Sequence, residues 1–221
     1  SRDLLVRTRT KLINHVRGTS KTFGRALPKC SAPTFVKRCG GELPVSVEGC
    51  LKPIMMQITS ITKQVDIMEK QIEALLKEHP AAQRLHQIKG VGPLSALAYV
   101  LTIEDPSRIL RSRKAGAYFG LVPGSDDSGE KHEPRRITKE GDALCRRLLV
   151  SAGHYIIGPF GPDSDLRRHG LAIAARGGKN ARKRAVVAVA RKLAVVMHHL
   201  WTSGEDYVPL FNAASSQPSA A

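Results

Sequence analysis

The chain has 221 residues, 42% hydrophobic and 24% charged, with a formal net charge of +16 and an isoelectric point near 10.1. That length supports a packed core as one or two domains with an extended arm, and the charge favours polyanionic partners bound in a salt-sensitive way. No apolar run is long and uninterrupted enough to cross a bilayer and no signal peptide opens the chain, so no membrane partner and a cytoplasmic location are expected. Aromatic residues make up only 5%, which argues against a base-stacking platform for single strands.

Residues 1–52 read as a basic helical arm followed by a loop-rich linker. Between residues 2 and 25 Asp3 is the sole acid among many Arg and Lys. Residues 23–49 are rich in Pro, Gly, Ser and Cys, predicting loops with one short helix near residues 32–38. Cys30, Cys39, Cys50 and Cys145 lack the close paired spacing of a zinc site and are expected as free thiols in a reducing compartment.

Ile54, Ile58, Ile61, Val65, Met68, Ile72 and Leu75 then recur at alternating spacings of four and three, the pattern of a coiled-coil seam. Pro53 is expected to start this helix and Pro80 to end it, giving a coiled-coil region over 53–79. A single amphipathic helix packed on its own domain would give the same pattern. The unbroken alternation favours an intermolecular or hairpin coil, hence a homo-oligomer through residues 54–75.

The third region, 80–211, opens with Ile88-Lys-Gly90-Val-Gly92-Pro93 ahead of an apolar run. Two glycines before a proline at a first helical position predict a helix-hairpin-helix, whose backbone N–H groups can meet a phosphate. A tight turn between packed helices would look alike; in so basic a chain phosphate binding is favoured. Residues 120–136 show no regular period and are dense in Gly, Pro, Asp and Ser, so a loop is expected, with at most a short hairpin around 118–137. A helix should follow from Thr138, Gly141 and Asp142 through Leu144 to Leu149, with Arg146 and Arg147 on its flank. A loop serine ahead of such a helix suits phosphoryl transfer, yet residue chemistry alone favours ordinary loop polarity.

Residues 167–192 contain no acid and include Arg182, Lys183 and Arg184. Residues 184–201 read as a buried helix with a basic start, although Arg191, Lys192, His198 and His199 interrupt its apolar pattern. Residues 212–221 are small and polar and are expected to be disordered. Glu69 and Glu73 belong to the amphipathic helix, while Glu104, Asp105, Asp163 and Asp165 sit in turns, so no metal-binding set is expected in this chain. The fold class is mainly α: a helical arm and coiled coil, then a domain containing the helix-hairpin-helix.

The ordered set Gly90-Val-Gly-Pro93, Ala117-Tyr-Phe-Gly-Leu-Val-Pro123, Ser128-Gly129, Ile137-Thr-Lys139, Gly141-Asp142 and Arg146-Arg-Leu-Leu149 resembles the transposase domain of the insertion-sequence-110 (116/110/902) family, the DEDD transposases. The likeness is direct over about residues 80–155. It is looser on both sides: residues 5–17 look like the segment after the family's nuclease-like domain, and 182–200 like its closing helix. The resemblance implies a DNA transposase or recombinase in which an N-terminal RuvC-like domain holds magnesium through four acidic residues. A serine of the transposase domain attacks DNA to form a covalent phosphoserine, and a structured guide RNA selects the DNA. By motif position that serine is Ser128, beside Gly129, with Ser125 as the fallback. Gly90, Gly92, Lys131, Arg135, Arg136, Lys139, Arg146, Arg147, Arg182, Lys183 and Arg184 are the candidate DNA contacts.

Three departures qualify the resemblance. The chain opens on what looks like the post-nuclease helix, so the RuvC-like domain is expected to be missing from it, the magnesium acids to lie upstream of Ser1 and the chain to be half of an enzyme. Asp126 and Asp127 precede Ser128 and repel a phosphodiester. Lys131-His-Glu-Pro-Arg-Arg136 replaces a more glycine-containing stretch. A truncated serine transposase is therefore the leading expectation. The alternative is a catalytically inactive DNA- or RNA-binding dimerisation module, and a helix-hairpin-helix DNA glycosylase ranks last.

Overall fold

The computed structural model describes residues 1–124, 127–128, 131–132 and 136–214, with side chains from 125 to 135 and at 213–214 left aside. The fold is mainly α, in two compact units, residues 1–73 and 74–221.

In the first unit, α1 (Arg2–Thr22) runs antiparallel to α3 (Val45–Glu78): Arg2 pairs with Glu69, Arg9 with Thr62, and Val16 shares a core with Ile58. The short α2 (Phe35–Cys39) closes that core with Phe35 and Cys39, both fully buried. Ile58 and Val65 of the seam are buried at 0% and 1% exposure, whereas Leu75 is 44% exposed. A helical hairpin within one chain thus accounts for the apolar pattern over its first half. Each fully buried aliphatic side chain there is worth roughly 1.5–3 kcal/mol. The helix begins at Val45, ahead of the proline expected to start it, and carries Pro53 in its interior. Pro53 is exposed and stands four residues after Gly49, which is also exposed, so the carbonyl deprived of its bond can turn to water.

The second unit is built around α9 (Ala181–Ser203), against which α4 (Pro80–His86), α6 (Ala115–Tyr118), α7 (Ala143–Ile157) and α8 (Asp165–Ala175) pack. Val189, Leu193, Ala194 and Met197 of α9 are fully buried, matching the expected buried helix. Alanines at 181, 185, 190 and 194 let its neighbours approach closely, and Gly204 ends it in the left-handed conformation. His198, which breaks the apolar pattern in sequence, is buried with Nδ1 on Ser112 Oγ at 2.9 Å and Nε2 on the Pro106 carbonyl at 3.0 Å. From α5 (Pro93–Ile103), which packs on α4 and α7, the Tyr99 hydroxyl donates to the Ala194 carbonyl at 2.6 Å. The short α10 (Phe211–Ala214) follows; the remainder of the tail expected to be disordered, 215–221, lies outside the described residues. No described helix is long and apolar enough to cross a membrane.

Both ends of the expected loop at 120–136 pair as a hairpin. Gly124 N–H donates to the Arg136 carbonyl, Thr138 N–H to Val122 and Lys139 N–H to Gly120, all at 3.0–3.1 Å. Further out, β1 (Asp127–Ser128) pairs antiparallel with β2 (Lys131–His132), Ser128 opposite Lys131. Thr138 is consumed by the hairpin arm, so α7 starts later than expected, at Ala143, where the Asp142 carboxylate accepts from Cys145 N–H.

Candidate functional site

The base of the hairpin explains its glycines. Gly120 and Gly141 have φ of +62° and +72°, and a Cβ on either would overlap backbone, of Glu140 and of Tyr118 respectively. Only glycine allows the arms to approach this closely in that conformation. Arg146 of α7 completes the clasp by donating to the carbonyls of Phe119, Glu140 and Gly141, the nearest at 2.6 Å. Its guanidinium is therefore engaged with backbone.

One wall of a cleft of about 860 Å³ is formed by these arms, through Leu121, Pro123, Arg136, Ile137 and Lys139. The other is the outward face of α9, where Lys183, Val187, Arg191 and Val195 recur every four residues beside Arg184, Ala188 and Lys192. Arg113, from the 3-10 turn Ser112–Lys114, and His169 of α8 complete the lining. Aliphatic side chains make the floor and cations the rim, and among the described residues no carboxylate lines it. Gathering like charges without acids costs stability unless an anion compensates, so the cleft is suited to an anionic ligand. Burial, then the charges of Lys192 and Arg176, hold the His169 imidazole below its ordinary pKa.

A second feature lies at the turn over 87–92 between α4 and α5. Val91 N–H donates to the Ile88 carbonyl at 2.9 Å, and the Val91 carbonyl pairs with His86 Nδ1 at 2.8 Å. Gly90 has φ of +103°, and a Cβ there would lie 2.9 Å from Tyr155 of α7. Gly92 is different: a Cβ would meet nothing, so packing does not demand glycine there. It N-caps α5, whose first turn has no side-chain cap and borders a recess of about 420 Å³.

Of the residues singled out in sequence, Arg136, Lys139, Lys183 and Arg184 meet in the cleft, and Gly90 and Gly92 form the separate turn. Arg184 also donates to the Gly177 carbonyl. Arg147 and Arg182 are exposed on α7 and α9 without lining the cleft. Ser128 and Lys131 are placed by backbone pairing alone; their side chains, and Ser125, Gly129 and Arg135 altogether, lie outside the described residues. Sequence reasoning missed Arg113, His169, Arg191 and Lys192 as lining residues. The recurrence of bases two turns apart on α9, Lys183 with Arg191 and Arg184 with Lys192, was a usable signal for Arg191 and Lys192. Among the described residues no three His, Cys, Asp or Glu side chains gather as a metal site.

Comparison with known proteins defines the class. Residues 82–165 match the family described as transposase IS116/IS110/IS902. The chain is 30% identical over 218 residues to the transposase for insertion sequence element IS1111A of Coxiella burnetii, covering 93% of this chain and 58% of that protein. It is 29% identical over 213 residues to the putative transposase y4pF/y4sB of Sinorhizobium fredii, covering 93% and 54%. With the transposase for IS1328 of Yersinia enterocolitica it shares 32% over 154 residues, covering 67% and 46%. The chain carries the transposase domain of the IS116/IS110/IS902 family. It spans about half the length of the curated relatives it matches.

Proposed function

We propose that this chain is the DNA-holding and strand-transferring part of an insertion-sequence transposase, with Ser128 as nucleophile. The observation that carries the reading is the cationic cleft, lined by no carboxylate among the described residues, one wall of which is the base of the hairpin bearing Ser128. Rim cations would neutralise backbone phosphates and the charge that builds on them during transfer. The turn at Gly90 and Gly92 would act as a helix-hairpin-helix contact to a neighbouring phosphate, reading backbone and not base sequence. Ser128 Oγ would attack phosphorus and lose its proton; the bond to the displaced sugar oxygen breaks and that oxygen takes up a proton. Lys131, Arg135, Arg147 and Arg182 remain candidate phosphate contacts in this reading, whereas Arg146 would act by holding the hairpin.

No acidic cluster among the described residues fits magnesium, so the reading assigns that ion to a domain outside this chain. The greater length of the relatives supports that assignment. Guide RNA binding, implied by the resemblance alone, and self-association through residues 54–75 belong to the same reading; the seam residues that α1 leaves partly open are what favours the second.

The test is Ser128→Ala in a polypeptide that includes the acidic domain, scored by a protein–DNA adduct that survives denaturing electrophoresis. Loss of the adduct with unchanged DNA binding is expected. An adduct that persists refutes the assignment of Ser128. No adduct from the unsubstituted protein either, with salt-sensitive binding intact, would select the non-catalytic binding module.

A further inference from the structure

A site unrelated to the cleft lies in the first unit, where the linker folds back over α1. Cys30 and Cys39 bring their sulfurs to 3.8 Å, although no bond joins them and both are free thiols. Cys39, at the end of α2, is fully buried; Cys30, in the preceding loop, is partly exposed. One cation organises the pair. Arg17 of α1 donates to Cys30 Sγ at 3.4 Å, to the carbonyls of Leu27 and Pro28, and lies over the Phe35 ring at 5.1 Å. Cys39 Sγ lies 3.8 Å from the same Pro28 carbonyl. The two thiols therefore approach each other on a loop pinned at several points, and a disulfide needs their separation to shrink to about 2 Å.

We propose that Cys30 and Cys39 form an oxidation site, closing to an intramolecular disulfide on exposure to a peroxide. Cys30, the accessible thiol beside a guanidinium, reacts first: its sulfur gives up its proton and attacks one peroxide oxygen, the O–O bond breaks, the departing hydroxide takes up that proton to leave as water, and sulfenic acid remains. Cys39 sulfur then attacks that sulfenic sulfur; the S–O bond breaks, the S–S bond forms, and the hydroxyl departs as water with the Cys39 proton. Peroxide is the two-electron oxidant throughout. Burial first, and then the neighbouring Cys30 sulfur, push the Cys39 thiol up to about 11, so Cys39 is the resolving partner and not the one that meets the oxidant. The product ties the loop to α2 over the end of α1, making the first unit responsive to oxidants.

The experiment uses the 221-residue chain with Cys50→Ser, because Cys50 is exposed and could couple two molecules. Hydrogen peroxide is added in slight excess, remaining thiols are alkylated, and the mass is read intact and after trypsin, which cuts between the two cysteines after Lys37 and Arg38. Expected are an alkylated mass short of two alkyl groups relative to the untreated chain, a linked pair of peptides carrying Cys30 and Cys39, and reversal by dithiothreitol. Linkage should form at least tenfold faster in the native chain than in urea, and Cys39→Ser should leave Cys30 as a sulfenic acid trapped by a dimedone-type reagent. Equal rates in native and urea-unfolded chains overturn the proposal, as does Cys30 oxidised to sulfinic acid while Cys39 stays alkylatable.

Discussion

Replacing Lys139 and Lys183 together by glutamine tests whether the cleft holds a phosphate backbone. Both side chains are exposed and stand on opposite walls, so the fold should survive their loss of charge. The described cations of the cleft are Arg113, Arg136, Lys139, Lys183, Arg184, Arg191 and Lys192. If each neutralises one phosphate, log K against log salt should fall with a slope of about −6, at about −0.9 per contact. Removing two should make the slope shallower by about 1.8 and weaken binding roughly 60-fold at 0.1 M salt. The assay is anisotropy of a labelled duplex titrated at several potassium chloride concentrations. Lys63→Gln with Lys70→Gln, on the polar face of α3, removes the same charge elsewhere and serves as control. Equal losses in the two double variants would mean that binding follows the overall field of the protein, and the cleft reading would fall.

Three further outcomes follow from the geometry. Gly120→Ala forces a Cβ onto the Glu140 backbone at a positive φ and should cost about 2–4 kcal/mol; a urea midpoint equal to the parent's would show that the hairpin base is not the tight clasp described. Arg146→Met leaves three carbonyls without their donor and should lower stability by about 1–3 kcal/mol. DNA binding should fall with it only as far as the hairpin loosens, and a binding loss with unchanged melting would make Arg146 a direct contact instead. His169 has a lowered pKa in the free protein, and an anion in the cleft would raise it, so binding takes up a proton. Affinity should therefore rise as pH falls between the bound and free values and level off outside them. His169→Gln should flatten that profile; an unchanged profile would remove His169 from the site.

Helical periodicity carried most of the fold, because apolar spacing reports burial directly. The seam at Ile58 and Val65 and the buried face of α9 were legible for that reason. What periodicity does not specify is which element covers a seam, so the pairing of α3 with α1 through Arg2, Arg9 and Val16 emerged only in three dimensions. The hairpin was half legible: the Gly, Pro, Asp and Ser of residues 120–136 signalled irregular chain, but Thr138 and Gly141 were read as helix, and the ladder depends on residues far apart in sequence. Arg146 shows the limit for the site. An arginine on a helix flank reads as a phosphate contact until its carbonyl acceptors are known. Arg113 and His169 carry no local mark at all, since they join the cleft through the packing of separate elements on α9.

The two sides of α9 make one further point. The residues that fill the centre of the second unit and those that form the basic wall alternate along one continuous helix, so that wall of the cleft has no support of its own that can shift independently. A substitution that rotates α9 by even a fraction of a turn would carry Lys183, Arg191 and Lys192 out of alignment while it disturbed Val189 and Leu193. Conversely, an anion spanning the wall would oppose the fraying of the helix on which the whole unit is assembled. Occupancy of the cleft and integrity of the unit are in this sense one quantity, readable together as a rise in melting temperature with added duplex.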